Sequence, residues 1–246
     1  GTEGTVYPPL GLAYIASVLE KSGYGNVRVL DANMLRLRNE EVIKRVVEYA
    51  PDIIGVSVNV VTQRAAIELC EIVKEEFPEK LLVVGGPLPI LQPEKFLKVS
   101  DVIVNGEGEI PFLEIVRAWE SESELKDIPG TVSLHNEEIK VNIRPELIGD
   151  MDSIPFPAYH LMEPELKEYS RKARIKKQYM APILTSRGCP YQCTYCNKSV
   201  FGSTFRMRSA ENVMSEIDWL LKNFEVRQID ILDDNFNLNP ERTNSI

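Results

Sequence analysis

Short runs that are apolar throughout, separated by helical patterns, constrain this chain more than any other feature. They read "VRVLD" (27–31), "DIIGVSV" (52–58), "LLVVGG" (81–86) and "DVIVNG" (101–106). A strand with one wet face alternates apolar and polar residues. A strand apolar on both sides is covered on both faces, as in a parallel sheet flanked by helices. Helical patterns fill the intervals around 39–49, 62–76 and 93–98, and another covers 109–120. The first half is therefore expected to be an open α/β domain, a doubly wound parallel sheet of flavodoxin or Rossmann type. Ligands of such domains bind beyond the carboxyl ends of the strands.

A helix precedes these strands. In "PPLGLAYIASVLEKSGYG" two prolines open it, Leu12, Ile15 and Leu19 form a stripe, and Gly23 closes it. Domains of this kind normally begin with a strand that lies inside the sheet. The expectation is a fragment whose opening strand is missing.

Downstream, "GTVSLHNEEIKVNI" (130–143) alternates around a His135–Asn136 turn, as a β-hairpin does. "RPELIGDMDSIPFPAYHLMEPELKEYS" follows, rich in proline and acidic residues, and reads as an interdomain connector. The basic run "RKARIKK" (171–177) fits a solvated face or mobile segment, or else a surface for an anionic substrate. A second α/β unit starts at "APILTSRGC", with a strand over 182–186, a cysteine loop, a helix from Ser209 and a strand "QIDILDD" (228–234). Val213, Ile217, Leu220, Leu221 and Phe224 make the core-facing stripe of that helix. "NLNPER" opens one more helix, with Asn239 as cap and Pro240 in the first turn. A single βαβ unit cannot bury both of its faces, so this domain also reads as incomplete. The expected divisions are 1–129 for the first α/β domain, 130–180 for hairpin and connector, and 181–246 for the start of the second domain.

The chain has four cysteines, and three of them, Cys189, Cys193 and Cys196, form a CxxxCxxC pattern in "SRGCPYQCTYCN". Composition decides which thiol chemistry is in play. At 43% hydrophobic and 26% charged residues the chain is that of a soluble globular protein. No apolar stretch approaches the ~18–20 residues that cross a bilayer. The start "GTEGTVYPPLG" lacks the basic region and apolar core of a signal peptide. A cytoplasmic, reducing setting follows as the expectation, and disulfides are rare there. A net charge of −9 argues against non-specific binding of nucleic acid. Structural zinc wants four protein ligands, and the only histidines, His135 and His160, lie in the hairpin and the connector. A redox CxxC pair leaves Cys189 without a role. Three soft ligands and no fourth suit a four-iron cluster with one iron open to an exogenous ligand. Coincidental clustering on a loop is the bland alternative.

"SRGCPYQCTYCN" after a strand resembles the signature of the radical S-adenosylmethionine (SAM) enzymes. The resemblance implies that Cys189, Cys193 and Cys196 hold a 4Fe-4S cluster whose unique iron chelates the methionine part of SAM. It places Tyr195, before the third cysteine, near the adenine. It implies reductive cleavage of SAM to methionine and a 5′-deoxyadenosyl radical. "DILDDNF" puts Asp233 and Asp234 at a strand's carboxyl end, where the family's contact to the SAM amino group falls. Most members have a glycine-rich motif there, and "DDNF" resembles the variant of cobalamin-associated members. Capping of the next helix is the alternative for the aspartates, although Asn239 already fills that position. Arg206 and Arg208 in "FRMRS" also resemble the family pattern, or else serve as surface or salt-bridge residues.

The first half resembles the cobalamin-binding domain that precedes the radical SAM barrel in one large subclass. The matching stretches are "PPLGLAYIASVLEKSGY", "IGVSV", "VVGGPLP", "DVIVNGEGEIPF" and "IPFPAYHLM". Gly85, Gly86, Gly106, Glu107 and Gly108 end strands on the ligand edge, where glycine admits a bulky ring system. Ser57, Asn59 and Thr62 line the same edge as hydrogen-bonding candidates; ordinary strand-to-helix turns, with Thr62 as a cap, are the alternative. There is no DxHxxG motif and no histidine before His135, so cobalamin is expected without a histidine lower ligand from this domain. Leu88 stands where relatives often carry histidine.

Methylthiotransferases share the cysteine loop but add three cysteines in their first domain. Here only Cys70 is available, on a helix stripe with Ala66, Leu69, Val73 and Phe77 that reads as core. The resemblance thus implies a cobalamin-dependent type of radical SAM enzyme acting on an unactivated carbon, as a methyltransferase or as an oxidoreductase or cyclase. Its implied partners are a small-molecule or natural-product substrate and a reductant such as flavodoxin or ferredoxin. A radical SAM enzyme without functional cobalamin, or a non-catalytic cobalamin- or cluster-binding module, are the alternatives.

Overall fold

The computed structural model describes residues 7–169 and 179–246, so the basic run 171–177 lies outside the described residues. Two compact units result. One holds residues 37–147 and 195–201; the other holds the described parts of 1–36, 148–194 and 202–246. The chain opens with helix α1 (Leu10–Lys21), strand β1 (Val29–Leu30) and a single turn, α2 (Ala32–Leu35).

The unit 37–147 begins with α3 (Asn39–Tyr49) and continues through β2 (Ile53–Ser57), α4 (Gln63–Glu76), β3 (Leu81–Gly85), α5 (Pro93–Phe96), β4 (Val102–Val104) and α6 (Glu109–Glu120). A hairpin of β5 (Thr131–His135) and β6 (Glu138–Val141) completes it. The sheet order is β2-β3-β4-β5-β6, with β2, β3 and β4 parallel and the hairpin antiparallel. Side chains alternate across the strands. Leu82, Val84 and Ile103 therefore meet Ala66, Cys70 and Val73 of α4, Phe96 of α5 and Ile43 of α3 on one face. Leu81, Val83, Val102 and Val104 meet Ile115 of α6 and Ile128 on the other. That two-sided burial is why the strands are apolar at successive positions, and it is the parallel, helix-flanked architecture expected from them. Asp101 fixes the approach to β4: its carboxylate accepts from the Leu82 N–H at 2.8 Å and from Lys74 Nζ of α4 at 2.6 Å.

Two details differ from the sequence reading. The expected hairpin joins the five-stranded sheet rather than standing with the connector, because β5 pairs with β4 (Val102 opposite Ser133, Val104 opposite Thr131). Its turn lies one residue further on, since His135 pairs with Glu138 and both Asn136 and Glu137 have positive φ, at 50° and 68°. Two consecutive left-handed residues give a primed turn, whose twist matches that of the strands.

The other unit contains β7 (Met162–Glu163), α7 (Leu166–Tyr169), β8 (Met180–Ile183), β9 (Ser186–Arg187), β10 (Arg206–Met207), α8 (Ala210–Asn223), β11 (Gln228–Ile231) and α9 (Pro240–Ser245). β8 and β11 pair in parallel, from Met180 opposite Gln228 to Ile183 opposite Ile231, with α8 as the crossover. "VRVLD" does not enter the five-stranded sheet; β1 pairs in parallel with β7 instead. The proline-rich stretch 154–162 is packed, with Ile154, Ala158, Tyr159 and Met162 buried. The Ala158 N–H donates to the Ala13 carbonyl of α1 at 3.0 Å, an approach the small residues on both sides allow. Accordingly α1 buries Ala13, Tyr14, Ala16, Ser17 and Leu19, and the expected Leu12 and Ile15 are only half-buried. Tyr159 donates its hydroxyl to the Pro182 carbonyl at 2.6 Å and packs among Trp219 and Phe224.

The stripe of α8 also needs correcting. Val213 and Leu220 are buried as expected, but Leu221 is exposed and Glu216 takes a core position. A buried carboxylate is tolerated because Arg208, itself buried, is ion-paired with it. Ser209 caps the helix, its hydroxyl accepting from the Asn212 N–H at 3.1 Å.

Phe96 is fully buried where α5 meets the sheet. Phe96→Ala is expected to lower stability by about 3–5 kcal/mol, read as a shifted midpoint in urea denaturation at unchanged slope.

Candidate functional site

The cysteine loop leaves a strand end that is held from several sides. The last paired couple of β8 and β11 is Ile183 with Ile231, so Thr185 and Asp233 stand two residues beyond it on each strand. There the Asp233 carboxylate accepts four hydrogen bonds. Oδ1 takes the Thr185 and Ser186 N–H groups at 2.6 and 3.1 Å, and Oδ2 takes the two hydroxyls at 2.5 and 2.6 Å. The carbonyl of Thr185 accepts from the Arg208 N–H at 3.0 Å and from Arg242 at 2.6 Å. Arg242 also donates to the Arg208 carbonyl at 2.8 Å. Arg208 donates to the Leu184 carbonyl at 3.0 Å and to the Glu216 carboxylate. Burial raises the Glu216 carboxyl above the ordinary carboxylate range against the opposing pull of Arg208, and burial lowers the Arg242 guanidinium.

β9 then pairs antiparallel with β10, Ser186 opposite Met207 and Arg187 opposite Arg206. The Arg187 guanidinium lies 5.1 Å from the centre of the Tyr14 ring. Gly188 turns the chain with φ +80°, a left-handed conformation that glycine adopts without steric cost, and Cys189 follows. Arg206 and Arg208 are both buried, so they build the support of the loop rather than its surface.

Beyond Gly188 the loop is irregular. Cys189 is half-buried, Cys193 and Cys196 are exposed, and all are free thiols. Among the described residues no group of three or more His, Cys, Asp or Glu side chains is gathered to hold a metal ion. The donor set itself fits an iron–sulfur cluster: three soft thiols on accessible backbone, with no histidine or carboxylate in the loop. Tyr195 is 90% exposed. Asp234 is exposed and next to Asp233, whose carboxylate is already engaged. Cys70, by contrast, is buried in α4, and desolvation pushes its thiol up to about 12.

The second set of candidates lines the carboxyl edge of the parallel strands in the unit 37–147. Ser57 stands opposite Gly85 at the ends of β2 and β3. Gly86 has φ +97°, and a Cβ there would lie 2.7 Å from the Val58 carbonyl oxygen. Its glycine is thus required by the sheet's own backbone. Asn59 is absorbed by its own loop, its side-chain oxygen accepting from the Val61 and Thr62 N–H groups at 2.9 and 3.0 Å. Thr62 occupies the cap position of α4 but makes no capping bond; its hydroxyl accepts from the Asn59 N–H at 3.1 Å. Gly106 has φ +120°, Glu107 is buried, and Gly108 precedes the first turn of α6. Arg144 donates from Nε to the Asn105 side-chain oxygen at 2.9 Å, beside Gly106.

A parallel sheet with a glycine-lined carboxyl edge is thus followed in the chain by a strand-borne CxxxCxxC loop. Residues 1–116 match the B12 binding domain family. The chain is 32% identical to an uncharacterized methyltransferase of Pyrococcus horikoshii, over 97% of this chain and 51% of that protein. It is 30% identical to the anaerobic magnesium-protoporphyrin IX monomethyl ester cyclase of Synechocystis, over 94% of this chain and 46% of that protein. The chain thus spans about half the length of these curated relatives. Its fold matches that of the cobalamin-dependent SAM radical enzyme OxsB, solved with aqua-cobalamin and SAM bound. The TM-score is 0.81 at 23% identity, over 94% of this chain and 32% of that one. The chain is thus similar to a B12 binding domain over residues 1–116, and to these proteins over nearly its whole length, and it shares the fold of OxsB.

Sequence reasoning missed Thr185, Ser186, Glu216 and Arg242. Thr185 and Ser186 carried a usable signal, because parallel strands of matched length bring the residues just past their ends together. Nothing local marks Arg242 or Glu216, which acquire their roles only through packing.

At pH 8, in metal-free protein, a thiol reagent is expected to label Cys193 and Cys196 fast and Cys189 more slowly. Cys70 should react only after unfolding, as read by peptide mass spectrometry. Gly86→Ala is expected to cost on the order of 1–3 kcal/mol or more, from the positive φ together with the approach of the new Cβ to the Val58 carbonyl, measurable as a loss of stability in the absence of any cofactor.

Proposed function

We propose that this chain is the cofactor-binding part of a radical SAM enzyme that uses cobalamin and modifies an unactivated carbon of a small-molecule substrate. The observation that carries this reading is the three-thiol loop on a braced strand end, in a chain that also bears a B12-binding domain.

Cys189, Cys193 and Cys196 are the cluster ligands in this reading, leaving one iron of a 4Fe-4S cluster for the amino and carboxylate groups of SAM. Tyr195 flanks the adenine, and Asp234 faces the SAM ammonium as a nearby negative charge. Ser57, Asn59, Thr62, Gly85, Gly86, Gly106, Glu107 and Gly108 form the cobalamin edge. Ser57 and the backbone at Gly86 and Gly106 are its best-suited members, because the side-chain oxygen of Asn59 already accepts from its own loop. Residues 1–134 contain no histidine, so none of them would supply an imidazole to cobalt. When bound, these cofactors supply reductive cleavage of SAM to methionine and a 5′-deoxyadenosyl radical, and a carrier for a methyl group. The protein's task is to orient SAM, exclude water and admit an electron from a flavodoxin- or ferredoxin-type reductant. Relatives named as a methyltransferase and as a cyclase make methylation and ring closure the two outcomes of hydrogen abstraction to test. A cytoplasmic setting suits the free thiols; no described helix is long and apolar enough to cross a membrane.

Anaerobic reconstitution of the wild-type protein with iron and sulfide is expected to load about four irons per chain. Cys193→Ala should fail to retain them. With SAM and a strong reductant the loaded wild type should form 5′-deoxyadenosine, followed by chromatography, and hydroxocobalamin should co-elute with the protein. Normal iron loading in Cys193→Ala, or no deoxyadenosine from loaded wild type, would overturn the reading.

A further inference from the structure

Two adjacent aspartates follow the end of β11, and the geometry gives them different tasks. A carboxylate offers about four lone-pair sites for hydrogen bonds. All four sites of Asp233 are filled by Thr185 and Ser186, two N–H groups on one oxygen and two hydroxyls on the other. No acceptor capacity remains on Asp233 for the ammonium of a ligand. Asp234 is exposed and, among the described residues, makes no such bonds.

The bonds of Asp233 also fall at one place. Thr185 and Ser186 are the middle two of the four residues between the end of β8 and the Gly188 turn that launches Cys189. From the opposite side Arg242 and the Arg208 N–H hold the Thr185 carbonyl. Donors and acceptor of the Thr185 backbone are thus gripped together, by a carboxylate from the end of β11 and a guanidinium from α9. Arg242 is itself buried and lies close enough to Asp233 for their charges to interact. A pair of opposite charges set on either side of one peptide fixes its plane, which a single contact does not do.

We propose that Asp233 is a positioning residue for the cysteine loop, acting through Thr185 and Ser186 with Arg242 as its counterpart, and that it does not itself contact SAM. The inference rests on the radical SAM reading for what the loop carries, but the clasp can be tested without any cluster.

The test compares Asp233→Asn, Asp234→Asn and the double variant Thr185→Val/Ser186→Ala with wild type in the full chain. In metal-free protein, hydrogen exchange of the 184–188 segment is expected to rise at least tenfold in Asp233→Asn and in the double variant, with α8 unchanged. Alkylation of Cys189 by iodoacetamide should speed up in the same two proteins. After anaerobic reconstitution and reduction, their electron paramagnetic resonance spectra without SAM should differ from wild type. A residue that only stabilised the fold would leave the spectrum of the folded, loaded fraction unaltered. Asp234→Asn should keep wild-type exchange and the wild-type SAM-free spectrum while losing the change that SAM induces. The proposal is overturned if Asp233→Asn keeps wild-type exchange and SAM-free spectrum yet loses the SAM-induced change, because Asp233 would then be a direct ligand. It is equally overturned if the double variant matches wild type in exchange and alkylation, a comparison that holds even where Asp233→Asn does not fold. Failure of wild type to take up iron would sink the radical SAM reading, while exchange and alkylation would still decide the role of Asp233.

Discussion

The grip of one carboxylate on two consecutive residues is the constraint on which the cysteine loop depends. Asp233 joins the exits of β8 and β11 by four bonds, two of them to backbone N–H groups that would otherwise be orphaned past the strand end. Charge-assisted bonds of this kind each contribute about 1.5–3 kcal/mol. The arginines behind it extend the brace. Arg242 reaches Thr185 and Arg208, and Arg208 reaches Leu184 and the buried Glu216 of α8. The two guanidiniums stand between two carboxylates, Arg242 near Asp233 and Arg208 paired with Glu216, so each has an opposite neighbour, which is the condition for burying them at all. Beyond Gly188 the Cys193 and Cys196 thiols are exposed and that of Cys189 is half-buried.

The other unit solves a different problem with backbone alone. Its parallel strands end together on one edge, and Gly86 lets the chain after β3 pass within contact of Val58. Side-chain donors on that edge are few, because Asn59 and Thr62 bond within their own loop. An edge of close backbone and small residues suits a broad, flat ligand better than a small polar one.

Much of the fold was legible in the residues. Uniformly apolar runs marked β2, β3 and β4, and the helices between them fell where periodicity placed them, α6 with the same limits. The hairpin was visible, but not its attachment to β4, because pairing partners leave no trace in a local pattern. "VRVLD" looked like its neighbours yet paired with β7 from the proline-rich stretch. Hydrophobicity pointed to Leu221 as core and gave no hint of Glu216, since an ion pair hides the charge from solvent. At the candidate site, the cysteines were evident from their spacing and the Asp233–Asp234 pair from the resemblance of "DILDDNF" to a family motif, whereas Thr185, Ser186 and Arg242 were not.

The sequence by itself determined the class of architecture and the chemistry of the donor set. Both follow from short-range information: the period and polarity of strands and helices, and the crowding of soft ligands in one loop. Only the tertiary structure decided which of two neighbouring aspartates is engaged and which is open. In an extended chain they are chemically equivalent. They part only when β8 and β11 align in register and bring the Thr185 and Ser186 donors to one side of the strand end, and that side belongs to Asp233.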